Sequence, residues 1–274
     1  MNVTGKGGFS EVWRAYDLIH NRLVAIKMHR PGSDWPPQKK KSYNEHVRQE
    51  LKIHRKVHDH RNIVRLYDRF DIDEKEDSFA TVLEHCDTDL ATMLETEYED
   101  GKAPEDEARA VLLQILSGMM HFSDKNFIHY DLKPGNILFV SVESMVKITD
   151  FGLSKIILDP ENPDGMELTK PGEGTYRYLP PECFDEDPRI SGKVDVWSVG
   201  IIFYQMLFGR VPTENEQSFE DIIAAIKNQR NVEIPPNPAI SKEAKKFIRA
   251  CLTYDQHKRP DMAELCQHPY LSSP

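Results

Sequence analysis

The sequence is poor in cysteine and has no long apolar run. Its 274 residues include four cysteines, which lie far apart and form no C-x-x-C pair, so a disulfide framework is not indicated. The most apolar stretch, Val194–Phe208, is shorter than the about 20 residues that cross a bilayer and contains Asp195 and Gln205. No apolar secretory segment follows Met1. We therefore expect an intracellular protein with reduced thiols and no membrane contact, in which Val194–Phe208 is a buried helix.

The sequence also lacks an excess of basic residues. It carries 35 Lys and Arg against 45 Asp and Glu, a net charge of −10, which argues against direct nucleic-acid binding. The charge is unevenly divided, since residues 1–86 carry 16 basic and 13 acidic side chains whereas residues 87–274 carry 19 and 32. This asymmetry favours two bodies with different surfaces. The acidic second part fits either a basic partner or an ordinary solvated surface.

The pattern of apolar residues changes near Asp87. Before it, alternating stretches predict an antiparallel sheet, a Pro-rich basic insert covers Pro31–Lys41, and a helix runs from about Tyr43 to Val57. After it, helical periods dominate, and we predict an α+β, bilobal fold with a small sheet-rich lobe at 1–86 and a larger helical lobe at 87–274. The predicted strands are Val12–Tyr16, Leu23–Lys27, Ile63–Tyr67, Phe79–Leu83, Ile137–Val140 and Val146–Ile148, and the predicted helices of the second part are Glu105–His121, Lys193–Phe208, Phe219–Asn228, Lys242–Cys251 and Met262–Cys266.

A glycine-rich turn lies near the start of the chain. It consists of Gly5, Lys6, Gly7 and Gly8, and small residues there let backbone amides approach phosphate oxygens. The spacing resembles G-x-G-x-x-G, although Ser10 stands at the third glycine position. No helix follows directly, which disfavours a dinucleotide-binding turn. A phosphate-binding loop and a plain tight hairpin both remain open on this motif alone.

Lys27 ends the second predicted strand. Glu50 on the following helix could hold its ammonium group near the α- and β-phosphates of a nucleotide, and Glu45 is the competing partner. We prefer Glu50 because the sequence after it, at 53–64, runs as expected into the next strand. A surface lysine that only extends its charge into solvent is the alternative.

The stretch IHYDLKPGN at 128–136 groups the residues of a phosphate-transfer loop. Asp131 could accept or orient the proton of an attacking hydroxyl, Lys133 could contact the transferring phosphate, and Asn136 could turn back to bind Mg²⁺. A structural turn would account for the Pro-Gly pair but not for the whole set. Further along, Asp150 begins an Asp-Phe-Gly tripeptide, where a carboxylate can bridge Mg²⁺ between phosphates. Composition alone does not explain four such motifs in one order.

Together these motifs resemble the eukaryotic protein kinase family. The matching segments are GKGGFSEV, VAIK, HYDLKPGN, ITDFG, GTYRYLPPE and DVWSVG, and the resemblance runs from residue 5 to the end of the chain. It implies a bilobal fold with ATP held between the lobes and Mg²⁺ as the metal ion. Within that family, DGMELT, GTYRYLPPECF and KVDVWSVGIIFYQMLFGR are similar to the tousled-like kinases. That resemblance implies a nuclear Ser/Thr kinase that acts on protein substrates such as histone chaperones and dimerises through a coiled coil absent from this chain.

The resemblance also implies a set of nucleotide-contacting and structural residues. They are, for adenine, Val12, Ala25 and Leu138; for the gatekeeper and hinge, Leu83, Glu84 and Cys86; for the ribose, Asp89; and, as structural supports, the pair Glu182 and Arg259 and the aspartate Asp195.

The segment Gly174–Glu182 separates two kinds of phosphotransferase. Small-molecule kinases also carry a His-x-Asp loop with a later Asn, so that loop alone leaves both open, but Gly174–Glu182 matches a docking segment for extended peptides. Lys133 together with Thr175 resembles the Ser/Thr branch. Gly135 stands where arginine-directed kinases usually have Glu, so the acidic second part does not by itself predict a demand for upstream arginines.

Two positions depart from the family pattern. Many kinases have an arginine before the catalytic aspartate, where it binds a phosphate of the activation segment. Here the residue is Tyr130, whose hydroxyl offers about 1 kcal/mol against roughly 4 kcal/mol for a charged pair. We therefore expect activity without a phosphate bound at this position, even if Ser154 or Thr169 is phosphorylated. His54 stands where an apolar residue is usual, and it either tunes how its helix docks or simply packs.

The rival function is a pseudokinase scaffold, which loss of the catalytic lysine, aspartates or asparagine would indicate, and all of them are present.

Overall fold

The structure is a computed structural model, and it describes residues 2–6, 10–73, 78–157, 166–167, 174–228 and 230–272. Gly7, Gly8 and Thr169, which the sequence singled out, lie outside the described residues. The four cysteines are free thiols.

A five-stranded antiparallel sheet forms the first part of the chain. The inner strand is buried on both faces, since the consecutive residues Phe79 and Ala80 are 2% and 0% exposed. The predicted strand starts lie close to the observed ones except at Ile63. This residue makes an isolated parallel bridge to Ile148 in the second part of the chain. The strands, in the spatial order β1-β2-β3-β5-β4, are β1 (Asn2–Lys6), β2 (Ser10–Asp17), β3 (Arg22–His29), β4 (Leu66–Asp73) and β5 (Ser78–Glu84).

Helix α1 (Pro37–Val57) packs against this sheet and begins earlier than predicted. The prediction of an irregular insert up to Lys41 was wrong for its last residues, because Pro37 occupies the first turn. Proline fits there since its missing N–H has no partner to lose, and the lysines that follow are good helix formers. The buried side of the helix consists of Val47, Leu51, Ile53, His54 and Val57.

The second part of the chain is mainly helical. Its centre is α4 (Lys193–Phe208), which is buried along almost its whole length and accepts the close approach of α6 (Lys242–Cys251) because Gly200 has no side chain. A Cβ atom there would lie 2.5 Å from that of Cys251. In the described part of the chain, no helix has both the length and the apolar character needed to cross a membrane. The helices are α2 (Leu90–Thr96), α3 (Glu105–Asp124), α4 (Lys193–Phe208), α5 (Phe219–Asn228), α6 (Lys242–Cys251), α7 (Met262–Leu265) and α8 (Pro269–Ser272).

Short strands between the helices carry the loops of interest. In the hairpin of β8 (Ile137–Val140) and β9 (Met145–Ile148), Ile137 pairs with Ile148, so the residues just before β8 and just after β9 lie at the same end. The prediction of a sheet-rich first part and a helical second part is confirmed, while the division at residue 86 remains a proposal. The short strands are β6 (Thr88–Asp89), β7 (Phe127–Ile128), β8 (Ile137–Val140), β9 (Met145–Ile148), β10 (Lys155–Ile156), β11 (Met166–Glu167) and β12 (Arg189–Ile190).

Candidate active site

The loop between β7 and β8 is held from below by Asp195 of α4. Its carboxylate is 2% exposed and accepts the backbone N–H groups of His129 at 2.8 Å and Tyr130 at 2.9 Å. Burial raises the pKa of Asp195, and the contacts with His129 and Tyr130 oppose this rise without cancelling it. Tyr130 adopts a left-handed backbone conformation with φ 68°, which an L residue keeps only where its surroundings hold it. Asp195 therefore lies where the sequence analysis expected it, under the loop that carries Asp131.

The Asp131 carboxylate is held by a closed set of hydrogen bonds. Its Oδ2 accepts from Lys133 Nζ at 2.7 Å, and its Oδ1 accepts from the hydroxyl and the N–H of Thr175 at 2.9 Å and 3.1 Å. Lys133 Nζ also donates to Thr175 Oγ1 at 3.0 Å. Three residues that the sequence placed in the catalytic set thus meet around one carboxylate. Because every oxygen has a partner, Asp131 is fixed in orientation before any substrate binds.

Asn136 and Asp150 lie at the same end of the β8–β9 hairpin. Asn136 Nδ2 donates to the backbone oxygen of Asp131 at 2.8 Å and to its Oδ2 at 3.2 Å. With the amide nitrogen used in this way, the carboxamide oxygen is the atom that Asn136 can offer to a cation. The Asp150 side chain is 47% exposed and its backbone has φ 65°. Oxygen donors of this kind fit Mg²⁺, which prefers carboxylate and carbonyl oxygens with water completing its shell.

Lys27 connects the two parts of the site. Its ammonium group forms an ion pair with Glu50 of α1, and its Nζ lies 3.6 Å from Asp150 Oδ1. Burial alone would lower the pKa of Lys27, but the carboxylates of Glu50 and Asp150 outweigh it and the pKa lies above its ordinary value. Lys27 in turn holds the pKa of Asp150 below its usual range. Of the two glutamates considered for this role, Glu50 makes the contact and Glu45 lies 4.0 Å from Lys41.

The residues expected to line the adenine pocket lie on the sheet and on the β8–β9 hairpin. Ala25, Cys86 and Leu138 pack against one apolar cluster that includes Leu83, while the contact of Val12, Ala25 and Leu138 with adenine stays a prediction. Val12 pairs with Lys27 across β2 and β3, whereas Gly5 and Lys6 belong to the backbone of β1.

The side chains of Glu84 and Asp89 both make structural contacts. Glu84 binds Lys147 Nζ at 2.8 Å and the N–H of Arg65 at 3.0 Å through its side chain, which ties the hinge to β9. Asp89 caps α2, with both carboxylate oxygens accepting from Thr92 at 3.0 Å, and its contact with ribose stays a proposal.

The segment Gly174–Glu182 is anchored at several points. Gly174 has φ 97°, and a Cβ there would lie 3.3 Å from the backbone oxygen of Tyr130. The Tyr178 hydroxyl donates to Gln205 at 2.6 Å. The Glu182 carboxylate binds Arg259 through two bonds at 2.7 Å and 3.1 Å. The segment is thereby held beside Asp131.

Sequence reasoning missed two residues near the site, one in the docking segment and one in β9. Arg177 donates to the backbone oxygens of Thr213 and Glu216 and fixes the docking segment to the loop before α5. Nothing in the local sequence marks it. Lys147, the partner of Glu84, could have been found, because a lysine inside the apolar strand β9 requires an anion.

Tyr130 belongs to the loop 128–136, called the catalytic loop below, and packs against the docking segment. It is 0% exposed in an apolar cluster with Leu179, Cys183 and Val194, and its hydroxyl contacts the Cys183 thiol. Lys155 Nζ lies 4.9 Å from the centre of the ring, which is the range of a cation–π contact. Position 130 therefore lies inside the apolar core and is not open to a phosphate group.

The Lys27–Glu50 ion pair and the Asp131 carboxylate held by Lys133 and Thr175 form an arrangement typical of the protein kinase fold. The chain belongs to the protein kinase domain family, whose sequence model matches residues 1–271. It is similar to the serine/threonine-protein kinase tousled of Arabidopsis thaliana. The two are 50% identical over an alignment of 280 residues, gaps included, which covers 99% of this chain and 40% of that protein. Similar values hold for tousled-like 2 of Xenopus tropicalis, at 47% identity over 99% of this chain and 40% of that protein, and for human tousled-like 1, at 46% over 99% and 36%. The chain therefore spans about two fifths of the length of these relatives.

Proposed function

We propose that this chain transfers the γ-phosphate of ATP to serine or threonine hydroxyl groups of protein substrates. The observation that carries the proposal is the arrangement of Asp131, Lys133 and Thr175, in which the carboxylate that would receive a proton is linked to the docking segment itself. A substrate hydroxyl bound along that segment would lie next to Asp131.

Each residue has a distinct part in the proposed reaction. Asp131 orients the substrate hydroxyl and takes its proton as the O–P bond forms, while Lys133 contacts the oxygens of the transferring phosphate. Lys27, held by Glu50, binds the α- and β-phosphates. Asn136 and Asp150 would hold Mg²⁺, which neutralises phosphate charge when bound. The ADP leaves with the electrons of the broken O–P bond.

The choice of hydroxyl and of partner is a finer proposal. The Lys133–Thr175 contact supports the Ser/Thr branch, because Thr175 is held where it borders both the catalytic carboxylate and the incoming chain. By family resemblance we further propose nuclear substrates of the histone-chaperone class and dimerisation through a coiled coil in a longer protein.

A peptide-array assay with ATP and Mg²⁺ tests the function, with Asp131→Asn as the matched variant. Loss of the carboxylate should lower kcat by at least about 100-fold while ATP still binds. The proposal would be supported if the wild-type protein phosphorylated serine and threonine peptides on the array and the variant did not. Equal, residual signal in both would favour the pseudokinase scaffold instead.

A further inference from the structure

His54 makes a polar contact from the buried side of α1. It lies one turn after Glu50 and is 6% exposed, and its Nε2 lies 2.7 Å from the backbone oxygen of Val64. A carbonyl oxygen only accepts, so Nε2 carries the proton and donates it. Burial lowers the pKa of His54 to about 4, more than the bond to Val64 can raise it, and the ring is therefore neutral near pH 7.

The backbone N–H of Val64 extends this contact to the metal end of the site. Its N–H donates to the backbone oxygen of Ile148 at 3.0 Å, and Ile148 is the last residue of β9. Asp150 follows two positions later. The backbone of Val64 thus joins α1, through His54, to the strand that precedes Asp150.

The ring of His54 also touches the residue next to Asp150. Its centre lies 4.9 Å from that of Phe151 in an edge-to-face arrangement, and Phe151 lies 5.6 Å from His129 of the catalytic loop. An apolar side chain could provide this ring contact. It could not provide the hydrogen bond to Val64. His54 therefore makes two separate contacts with the region around Asp150, one through the Val64 backbone and one through the ring of Phe151.

His54 belongs to the wall beside the catalytic ion pairs. It lines a cavity of about 20 Å³ together with Lys27, Glu50 and Asp150. A small displacement of α1 relative to β9 would therefore separate groups that now meet within a few ångströms.

We propose that His54 is a positioning residue, whose hydrogen bond to the Val64 carbonyl holds α1 against β9 so that Glu50 reaches Lys27 while Asp150 faces the metal site. The kinetic consequences of this inference rest on the proposed kinase function. Its structural consequence, the tethering of α1, does not.

Two replacements separate the bond from the packing. His54→Leu keeps an apolar side chain of similar size but leaves the Val64 carbonyl without its donor. His54→Gln can present an amide N–H near the place of Nε2. His58→Leu, at the residue that directly follows α1, controls for the loss of a nearby histidine.

Steady-state kinetics give the first readout. His54→Leu should lower kcat about tenfold, as expected for one lost hydrogen bond, with KM for the peptide unchanged. His54→Gln should recover kcat to within about threefold, and His58→Leu should match the wild type. In a Glu50→Gln background the same His54→Leu change should lower kcat less than about twofold, because the contact through which it acts is already lost.

Amide hydrogen exchange of α1 gives a readout that needs no phosphate transfer. His54→Leu should exchange about tenfold faster over residues 46–57, and His54→Gln should not. Unchanged exchange in His54→Leu, a leucine variant as active as the wild type, or an equal loss of kcat in both backgrounds would each overturn the inference. A wild-type protein that transfers no phosphate would defeat the proposed function alone, since the exchange result would still decide the role of His54.

Discussion

Replacing Tyr130 by arginine tests whether this position is a phosphate-binding site or part of the core. The tyrosine is 0% exposed and packs against Leu179 and Cys183, with the ammonium group of Lys155 over its ring. An arginine here would place a second cation beside Lys155 and remove the aromatic ring. We expect the protein to be strongly destabilised rather than to gain a switch.

The magnitude follows from the burial. Loss of a buried aromatic side chain costs about 3 kcal/mol, the low end of the usual range, because the arginine stem fills part of the space. An uncompensated buried charge costs about 3 to 5 kcal/mol more. The sum is at least about 6 kcal/mol, which approaches the whole free energy of unfolding of an ordinary domain, about 5 to 15 kcal/mol.

Urea unfolding followed by circular dichroism measures this loss. Tyr130→Phe keeps the ring, removes only the hydroxyl contact with Cys183, and should stay within about 1.5 kcal/mol of the wild type. Phosphatase treatment of the wild-type protein should leave its activity intact. An arginine variant with the wild-type midpoint, whose activity then required phosphorylation, would refute the reasoning.

Three further predictions concern buried charge and polarity. Burial, followed by repulsion from Lys27, lowers the pKa of His29 to about 4, and because its unfolded pKa is near 6.5, stability should fall as the pH drops from about 6.5 to about 4. His29→Gln should reduce the loss of stability between pH 7 and pH 5 by about 2 kcal/mol, as measured by urea titrations at the two pH values. Asp195→Asn should lower the free energy of unfolding by about 1 to 3 kcal/mol, measured calorimetrically, since one backbone N–H loses its acceptor; an unchanged Tm would contradict the role of Asp195. Glu182→Gln should cost about 3 to 5 kcal/mol because Arg259, 1% exposed, keeps its charge, and adding Arg259→Met should recover part of that loss.

Several helices could be predicted to the residue because local signals end them. Lys193–Phe208 and Lys242–Cys251 have the predicted bounds. The first ends at Gly209, whose φ of 69° continues no right-handed helix, and the second starts after Ser241, whose side chain accepts the N–H of Ala244. The strand predicted to start at Ile63 begins three residues later, at Leu66, because Ile63 bridges to Ile148 and does not pair with a strand of the five-stranded sheet.

The sequence by itself determined the compact parts of the site. Asp131, Lys133 and Asn136 lie within one short loop, so their order alone limits how far apart they can be, and the motif series named the kinase resemblance. The alternation and helical periods likewise determined a sheet followed by helices.

Only the tertiary structure decided which distant groups meet. Glu50 rather than Glu45 contacts Lys27, Tyr130 is a core residue, and His54 reaches Val64. These contacts depend on the rotation and docking of α1 and on the packing of the docking segment. A linear pattern carries no such information, because a shift of one helical position changes every partner without changing the period.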